Sequence, residues 1–220
     1  VPHIHDITSS LEGCTVFTKL DLVKAFYQIP VAPEDVPKTA VTTPFGLFEF
    51  VRMPFGLRNA AQTFQRFLDD VLRGLDCGNG YMDDVLVASR DMESHRIHCR
   101  AVLQRLADNG LVINPAKCQF AVSTVTFLGH RITSSGIFPL EQRVTAVRDF
   151  KPPSSVKQLR RFVGMVNFYR RFIPHCADLM KPLDDLLRGK KKHDTSFSWP
   201  DTAEHAFIAV KTALCNATLL

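Results

Sequence analysis

"GYMDDVLVAS", residues 80–89, is the stretch whose reading decides the fold. Asp83 and Asp84 stand side by side, with an aromatic residue two positions before them and β-branched and apolar residues after them. The segment reads as two short β segments with the acidic pair at the turn between them. Such a pair has two explanations. It is most often a solvated turn, and otherwise the charge is there to hold something positive. Asp69–Asp70 in the same chain serves as the comparison, because it falls in a helical pattern and is expected to be plain surface charge.

Working outward, "CTVFTKLDLVKAFYQIPV" (14–31) opens with a β-rich stretch at 15–20 that leads to Asp21, then permits a short helical turn before Pro30. Residues 38–56 alternate and carry turn punctuation at Pro44–Phe45–Gly46, the pattern of a hairpin. Residues 59–75 predict a helix with Asn59 as its cap and Phe64, Phe67, Leu68, Val71 and Leu72 as its apolar stripe. A second helix is predicted over 91–110 with a stop at Asn109–Gly110, followed by strand, loop and hairpin over 111–133. A third helix opens after a cap at Ser154 or Ser155, with Leu159, Phe162, Val163 and Val166 on one side and Lys157, Arg160, Arg161 and Arg171 gathered towards the other. A further helix begins near Asp201–Thr202. The order β–α–β–β–α–β over 15–133 is that of an α+β antiparallel sheet with two helices on one face. If their strands are neighbours, Asp21 comes close to Asp83 and Asp84.

The 220 residues allow one or two domains, and no apolar run approaches the roughly 18 residues needed to cross a membrane. "VPHIHDITSS" is neither a signal peptide nor a start, and "CNATLL" stops in mid-pattern, so the chain is expected to be an internal piece of a longer one. Six scattered cysteines with no C-x-x-C pair argue against a zinc site or a disulfide framework and for reduced thiols in an intracellular protein. The sequon at Asn216 carries no weight without a secretory signal. The net charge of +5 is uneven: residues 136–192 hold 13 Lys/Arg and 5 Asp/Glu, and the rest of the chain holds 14 and 17. A basic module beside a mildly acidic one suggests a polyanion partner; a solvated charged helix face is the plainer alternative.

Three converging carboxylates raise one another's pKa values and destabilise the fold unless a cation is present. Oxygen-only clusters suit Mg²⁺ or Mn²⁺, which keep waters and take substrate phosphates as further ligands. Two such ions about 4 Å apart activate a 3′-hydroxyl and stabilise a leaving pyrophosphate. Histidine or cysteine ligands would favour zinc instead.

"FTKLDLVKAFYQIPV", "TPFGLFEFVRMPFGLRNAAQTFQRFLDDVL", "YMDDVLVAS", "NPAKCQF", "FLGHRIT" and "KPPSSVKQLRRFVGMVNFYRRFIPH" resemble, in order and spacing, the reverse transcriptase of gypsy-type long-terminal-repeat retrotransposons. The resemblance covers almost the whole chain. It implies a polymerase palm with partial fingers over 1–135, a helical basic thumb over 136–189, and from 190 to 220 the start of the segment leading to RNase H. It implies an RNA-directed DNA polymerase using two Mg²⁺ ions, or Mn²⁺ in their place, with Asp21, Asp83 and Asp84 as catalytic, metal-binding carboxylates. Leu22, Phe26, Phe55, Gly56 and Lys117 would serve the dNTP, Phe26 by excluding a 2′-hydroxyl. Asn59, Gln62, Tyr81 and Met82 would face template or primer. Leu128, Gly129 and His130 would form the primer grip. Lys157, Arg160, Arg161, Gly164 and Asn167 would track the duplex through phosphates. The partners implied are an RNA or DNA template–primer duplex, dNTPs and the rest of a polyprotein, with no membrane. The setting implied is a cytoplasmic retroelement particle or the nucleus.

Against the pattern, the fingers segment is expected to lie before residue 1, and no RNase H, protease or integrase motif is present. Gly78–Asn79–Gly80 is unusual in a strand that should be apolar, so distortion there is expected. Three readings follow: a polymerase, a truncated remnant that at most binds nucleic acid, and an unrelated metal-dependent nuclease that the motif order does not support.

Overall fold

The structure, a computed structural model, describes residues 10–190 and 197–216; the expectations for the N-terminal stretch and for most of the "RGKKKHD" basic loop lie outside the described residues. The chain forms two compact units. One runs to Leu128 and takes in Ile132–Ser134; the other comprises Gly129–Arg131 and the chain from Ser135 onward.

In the first unit, β1 (Val16–Asp21), β4 (Gly78–Tyr81), β5 (Asp84–Ser89) and β6 (Gln119–Val122) form an antiparallel sheet in the order β4-β5-β1-β6. β1 and β5 pair without slip, from Val16 opposite Ser89 to Asp21 opposite Asp84. Side chains alternate across a strand, so Thr18, Leu20, Val85 and Val87 share one face while Lys19, Asp21, Asp84 and Leu86 share the other. Helices α1 (Ala60–Leu72) and α2 (Met92–Asp108) both cover the first face, where Leu20, Phe64, Leu68, Val85, Val87, Val102 and Leu106 make one core. α2 begins where the Asp91 carboxylate accepts from the Ser94 N–H, and the chain breaks at Gly110 in the left-handed region. β2 (Val41–Thr43) and β3 (Gly46–Phe48) form the expected hairpin. Asn59 flanks α1, but its side chain makes no capping hydrogen bond, contrary to the sequence expectation.

The distortion expected from the glycines of β4 is absent: Gly78, Asn79, Gly80 and Tyr81 pair in unbroken register with Val87, Leu86, Val85 and Asp84. The reason for glycine lies on α1. A Cβ on Gly80 would come within 2.6 Å of Leu68 Cδ2 and 2.8 Å of Leu72 Cδ1. A side chain at that position requires the leucines of the helix to shift.

The hairpin of β7 (Thr124–Phe127), β8 (His130–Thr133) and β9 (Gly136–Pro139) is where the chain passes from one unit to the other. In the second unit, α3 (Glu141–Arg148), α4 (Val156–Phe168), α5 (Cys176–Leu187) and α6 (Asp201–Cys215) pack together. Ser155 caps α4 by accepting from the Gln158 N–H. Phe162 of α4 lies 4.6 Å from Phe207 of α6, ring to ring. Residues 197–216, expected from sequence to begin a separate segment, therefore share the core of α4.

Candidate nucleotidyl-transfer site

The sheet register brings Asp21 and Asp84 opposite each other, and Asp83 precedes Asp84 in the β4–β5 turn. Local hydrogen bonds fix this corner. The Leu22 N–H donates to the Asp83 carbonyl at 2.7 Å, and the Asn114 N–H to the Asp21 carbonyl at 2.7 Å. The Asp21 N–H meets Cys118 Sγ at 3.4 Å. Met82 is held in the left-handed region at φ 49°. Gln65, buried on α1, spans the turn: its Nε2 donates to the Gly80 carbonyl at 2.9 Å, and its Oε1 accepts from the Met82 N–H at 2.9 Å. Sequence reasoning misses Gln65. A polar residue beside Phe64 in an apolar stripe is its signal. Asp69 is more than the plain surface charge that its helical setting suggests: it accepts from Gln65 Nε2 at 2.8 Å and so helps orient it.

Two lysines face the carboxylates. Lys19 Nζ lies 3.0 Å from Asp84 Oδ2, and Lys117 Nζ lies 3.7 Å from Asp21 Oδ1. Partial burial of its carboxyl, then the like charges of Asp84 and Asp21, raise the pKa of Asp83, with Lys117 opposing. Asp83 is otherwise an exposed residue, so solvent screens part of this effect. Among the described residues no group of three His, Cys, Asp or Glu is arranged to hold a metal ion. The donor chemistry nonetheless suits a hard divalent cation: every donor is oxygen, and three carboxylates against two lysines leave one net negative charge.

Of the residues expected at the nucleotide, Phe26 lies in a 3₁₀ turn, edge-on to Phe55 at 5.5 Å and to Phe64 at 5.8 Å. Phe55 is largely exposed and also meets Tyr27. Gly56 has φ 95°, and the space before its Cα is open. Leu22 corrects the expectation: its side chain is buried in the core, leaving only its backbone for contact. Asn59 and Gln62 are exposed at the start of α1, and Tyr81 and Met82 are half-buried at the turn.

In the second unit, His130, expected in the primer grip, turns its side chain inward. Its ring is buried, stacked on Phe168 at 5.5 Å and on Phe172 at 5.4 Å, and does not face outward. The Tyr169 hydroxyl donates to the Gly129 carbonyl at 3.2 Å. Gly129 follows Leu128, and both have positive φ, 74° and 49°. Gly129, Arg160, Arg161, Gly164 and Arg143 line one cavity of about 400 Å³. Arg143 escapes the sequence reading because α3 does. Lys157 and Asn167 are exposed elsewhere on α4. Arg171 does not join them: α4 ends at Phe168, and Arg171 falls in the following 3₁₀ turn, half-buried, its guanidinium 5.8 Å from the Phe172 ring and its pKa lowered by burial.

The fold is that of solved reverse transcriptases. A foamy viral protease–reverse transcriptase in complex with double-stranded DNA superposes with a TM-score of 0.89 at 23% identity, over 100% of this chain and 38% of that one. The foamy viral enzyme in complex with an RNA/DNA hybrid gives 0.84 at 23% identity, over 98% and 29%. The sequence profile for reverse transcriptase (RNA-dependent DNA polymerase) matches residues 1–132, and the chain belongs to that family. It is 39% identical to the retrovirus-related Pol polyprotein from transposon opus of Drosophila melanogaster, over 100% of this chain and 23% of that protein. It is 36% identical to the transposon Tf2-3 polyprotein of Schizosaccharomyces pombe, over 100% and 16%. The chain thus spans less than a quarter of these relatives. Among the described residues no helix is long and apolar enough to cross a membrane.

Proposed function

We propose that this chain is the palm and thumb of an RNA-directed DNA polymerase, which adds deoxynucleotides to a primer 3′ end on an RNA or DNA template. One observation carries the reading: Asp21 and Asp84 are cross-strand partners, with Asp83 in the adjoining turn. In the reaction the primer 3′ oxygen bonds to the α-phosphorus of the dNTP, the bond to pyrophosphate breaks, and the hydroxyl proton is lost. Two divalent ions held by Asp21, Asp83 and Asp84 would activate the hydroxyl and neutralise the pyrophosphate. Phe26, braced by Phe55 and Phe64, is the wall that excludes a 2′-hydroxyl. Gly56 lets the backbone approach the nucleotide, and Lys117 reaches the triphosphate. Asn59, Gln62, Tyr81 and Met82 attend the template–primer.

Lys157, Arg160, Arg161, Gly164 and Asn167 hold the duplex through its phosphates, without reading sequence. Leu128 and Gly129 present the primer end through backbone. The foamy viral relatives were solved on duplex DNA and on an RNA/DNA hybrid, which supports that partner. The β2–β3 hairpin exposes Phe45, Leu47 and Phe48, an apolar surface suited to a fingers segment of the larger polyprotein. Such a polyprotein works inside the cell, in a retroelement particle. An inactive remnant is the second reading, argued from the expected truncation and from Gly78–Asn79–Gly80; the regular register of β4 bears only on the glycines.

The test is dNTP incorporation on poly(rA)–oligo(dT) with Mg²⁺, beside Asp83→Asn. Incorporation abolished by the substitution is expected. No incorporation with salt-sensitive duplex binding retained would instead support the remnant.

A further inference from the structure

We propose that Lys19 is a built-in counter-cation of the carboxylate corner, which holds Asp84 when no divalent ion is bound and must yield it when one binds. The inference rests on the carboxylate-site reading above. Lys19 is two residues before Asp21 on β1, so the pleat returns it to the face that carries Asp21 and Asp84. Its Cα partner across the ladder is Leu86, two residues beyond Asp84. From there the long side chain reaches Asp84 Oδ2 at 3.0 Å. The two side chains are only 24% and 29% exposed, so the pair is better shielded than the exposed Lys38–Asp35 pair of the same unit.

Two observations fit this role together. Asp21 and Asp84 are each engaged by a lysine, at 3.7 and 3.0 Å. No three carboxylates among the described residues are arranged as a metal cage. A corner whose carboxylates are turned onto lysines is stable without metal but is not preassembled for it. Occupancy then requires Asp84 to exchange an ammonium for a divalent cation. Lys19 thereby lowers the corner's affinity for free ions while limiting repulsion in the empty state. Lys117 is 66% exposed on a loop, whereas Lys19 is fixed on a central strand. Lys19 is therefore the residue that sets the exchange.

The measurement is Mn²⁺ binding to the full 220-residue chain, by the loss of the free-ion paramagnetic resonance signal, with melting temperature recorded alongside. Lys19→Met keeps the apolar stem and removes the charge. It is expected to tighten Mn²⁺ binding by about two- to fivefold, the range open to a partly exposed pair. It is also expected to enlarge the rise in melting temperature that Mn²⁺ produces. Lys19→Arg should restore native affinity, and Lys38→Met should change nothing. If native protein binds Mn²⁺ and Lys19→Met binds it equally, the Lys19 role is overturned while the site reading stands. If neither binds, both fall. Should Lys19→Met fail to fold, Lys19→Gln supplies the same comparison.

Discussion

Replacing Gly80 with alanine should destabilise the first unit by an amount that its geometry sets. The backbone at Gly80 is ordinary strand, so alanine meets no conformational penalty. The new methyl would lie 2.6 Å from Leu68 Cδ2, 2.7 Å from Leu68 Cγ and 2.8 Å from Leu72 Cδ1. Carbon pairs rest near 3.5–4.0 Å, so the helix and strand must part or the leucines must leave their wells. Leu68 is fully buried and Leu72 nearly so, so any shift is made within the packed core. Overpacking of this kind costs about 1–3 kcal/mol. Removing glycine's freedom from the unfolded chain returns about 0.4–1 kcal/mol. The net expectation is about 1–2 kcal/mol of destabilisation. Gly78 is the control: its added methyl would meet Val102 Cγ2 at 3.2 Å, an approach that a small shift relieves, so Gly78→Ala should be close to neutral. Urea titration measures both as midpoint shifts at constant slope. The double variant Gly80→Ala/Leu68→Ala adds the decisive arm, since the smaller residue at 68 accepts the methyl. It should be less destabilised than the sum of the singles by more than the roughly 0.5 kcal/mol scatter of additive pairs. If Gly80→Ala is neutral, or if the cycle is additive, close packing is not why glycine stands there.

Three further expectations follow from the electrostatics. Burial and like charges raise the pKa of Asp83, so its ionisation costs stability as pH rises from the usual carboxylate range through the folded value. Asp83→Asn should then abolish incorporation yet raise the neutral-pH stability slightly, by about 0.5 kcal/mol or less given its exposure; a lower stability would contradict this. His95 is buried between Thr18 Oγ1 and Ser89 Oγ, with His98 and Cys99 also facing the cluster, and burial and then the His98 charge lower its pKa. Its folded pKa lies below its unfolded value, so stability is full above about pH 6.5 and is lost as pH falls below it. The urea midpoint should drop between about pH 7.5 and 5.5 in native protein and less so in His95→Gln; equal drops would remove His95 as the cause. Neutralising Arg160 and Arg161 together should weaken duplex binding for every sequence and lower the salt slope by about one for each phosphate left without its arginine; an unchanged slope would show that α4 does not track the backbone.

Much of this is legible in sequence because it depends on local periodicity. Residues 60–72, 92–108 and 156–168 carry apolar stripes at helical spacing, and the acidic turn sits between two strands at the expected place. What is not legible depends on partners far along the chain. The glycines of β4 answer to Leu68 and Leu72, and read alone they suggest a damaged strand. The His130 ring is enclosed by residues about forty positions later, a setting that its motif does not disclose. α3 buries only Val147, and α5 carries Pro182 within it, so neither offers a clear signal. Periodicity places Arg171 on a helix face because it does not show that α4 stops at Phe168.

The acidic turn shows the same division of labour more sharply. Met82 holds a left-handed backbone without being glycine, a conformation that costs of order 1 kcal/mol and persists only where surroundings impose it. Three of the ties at this corner come from elsewhere in the chain. Gln65 takes the Met82 N–H, Leu22 donates to the Asp83 carbonyl, and Asn114 donates to the Asp21 carbonyl. The two strand ends that carry the carboxylates are thus fixed from a helix, from the residue that follows β1 and from the loop that bears Lys117. A turn left to its own preferences would relax Met82 and let Asp83 swing away from Asp84's partner on β1. The sequence "YMDD" specifies which groups carry the charge, but their mutual position is enforced by residues that look ordinary beside any motif. Gln65, buried and bonded to both sides of the turn, is foremost among them.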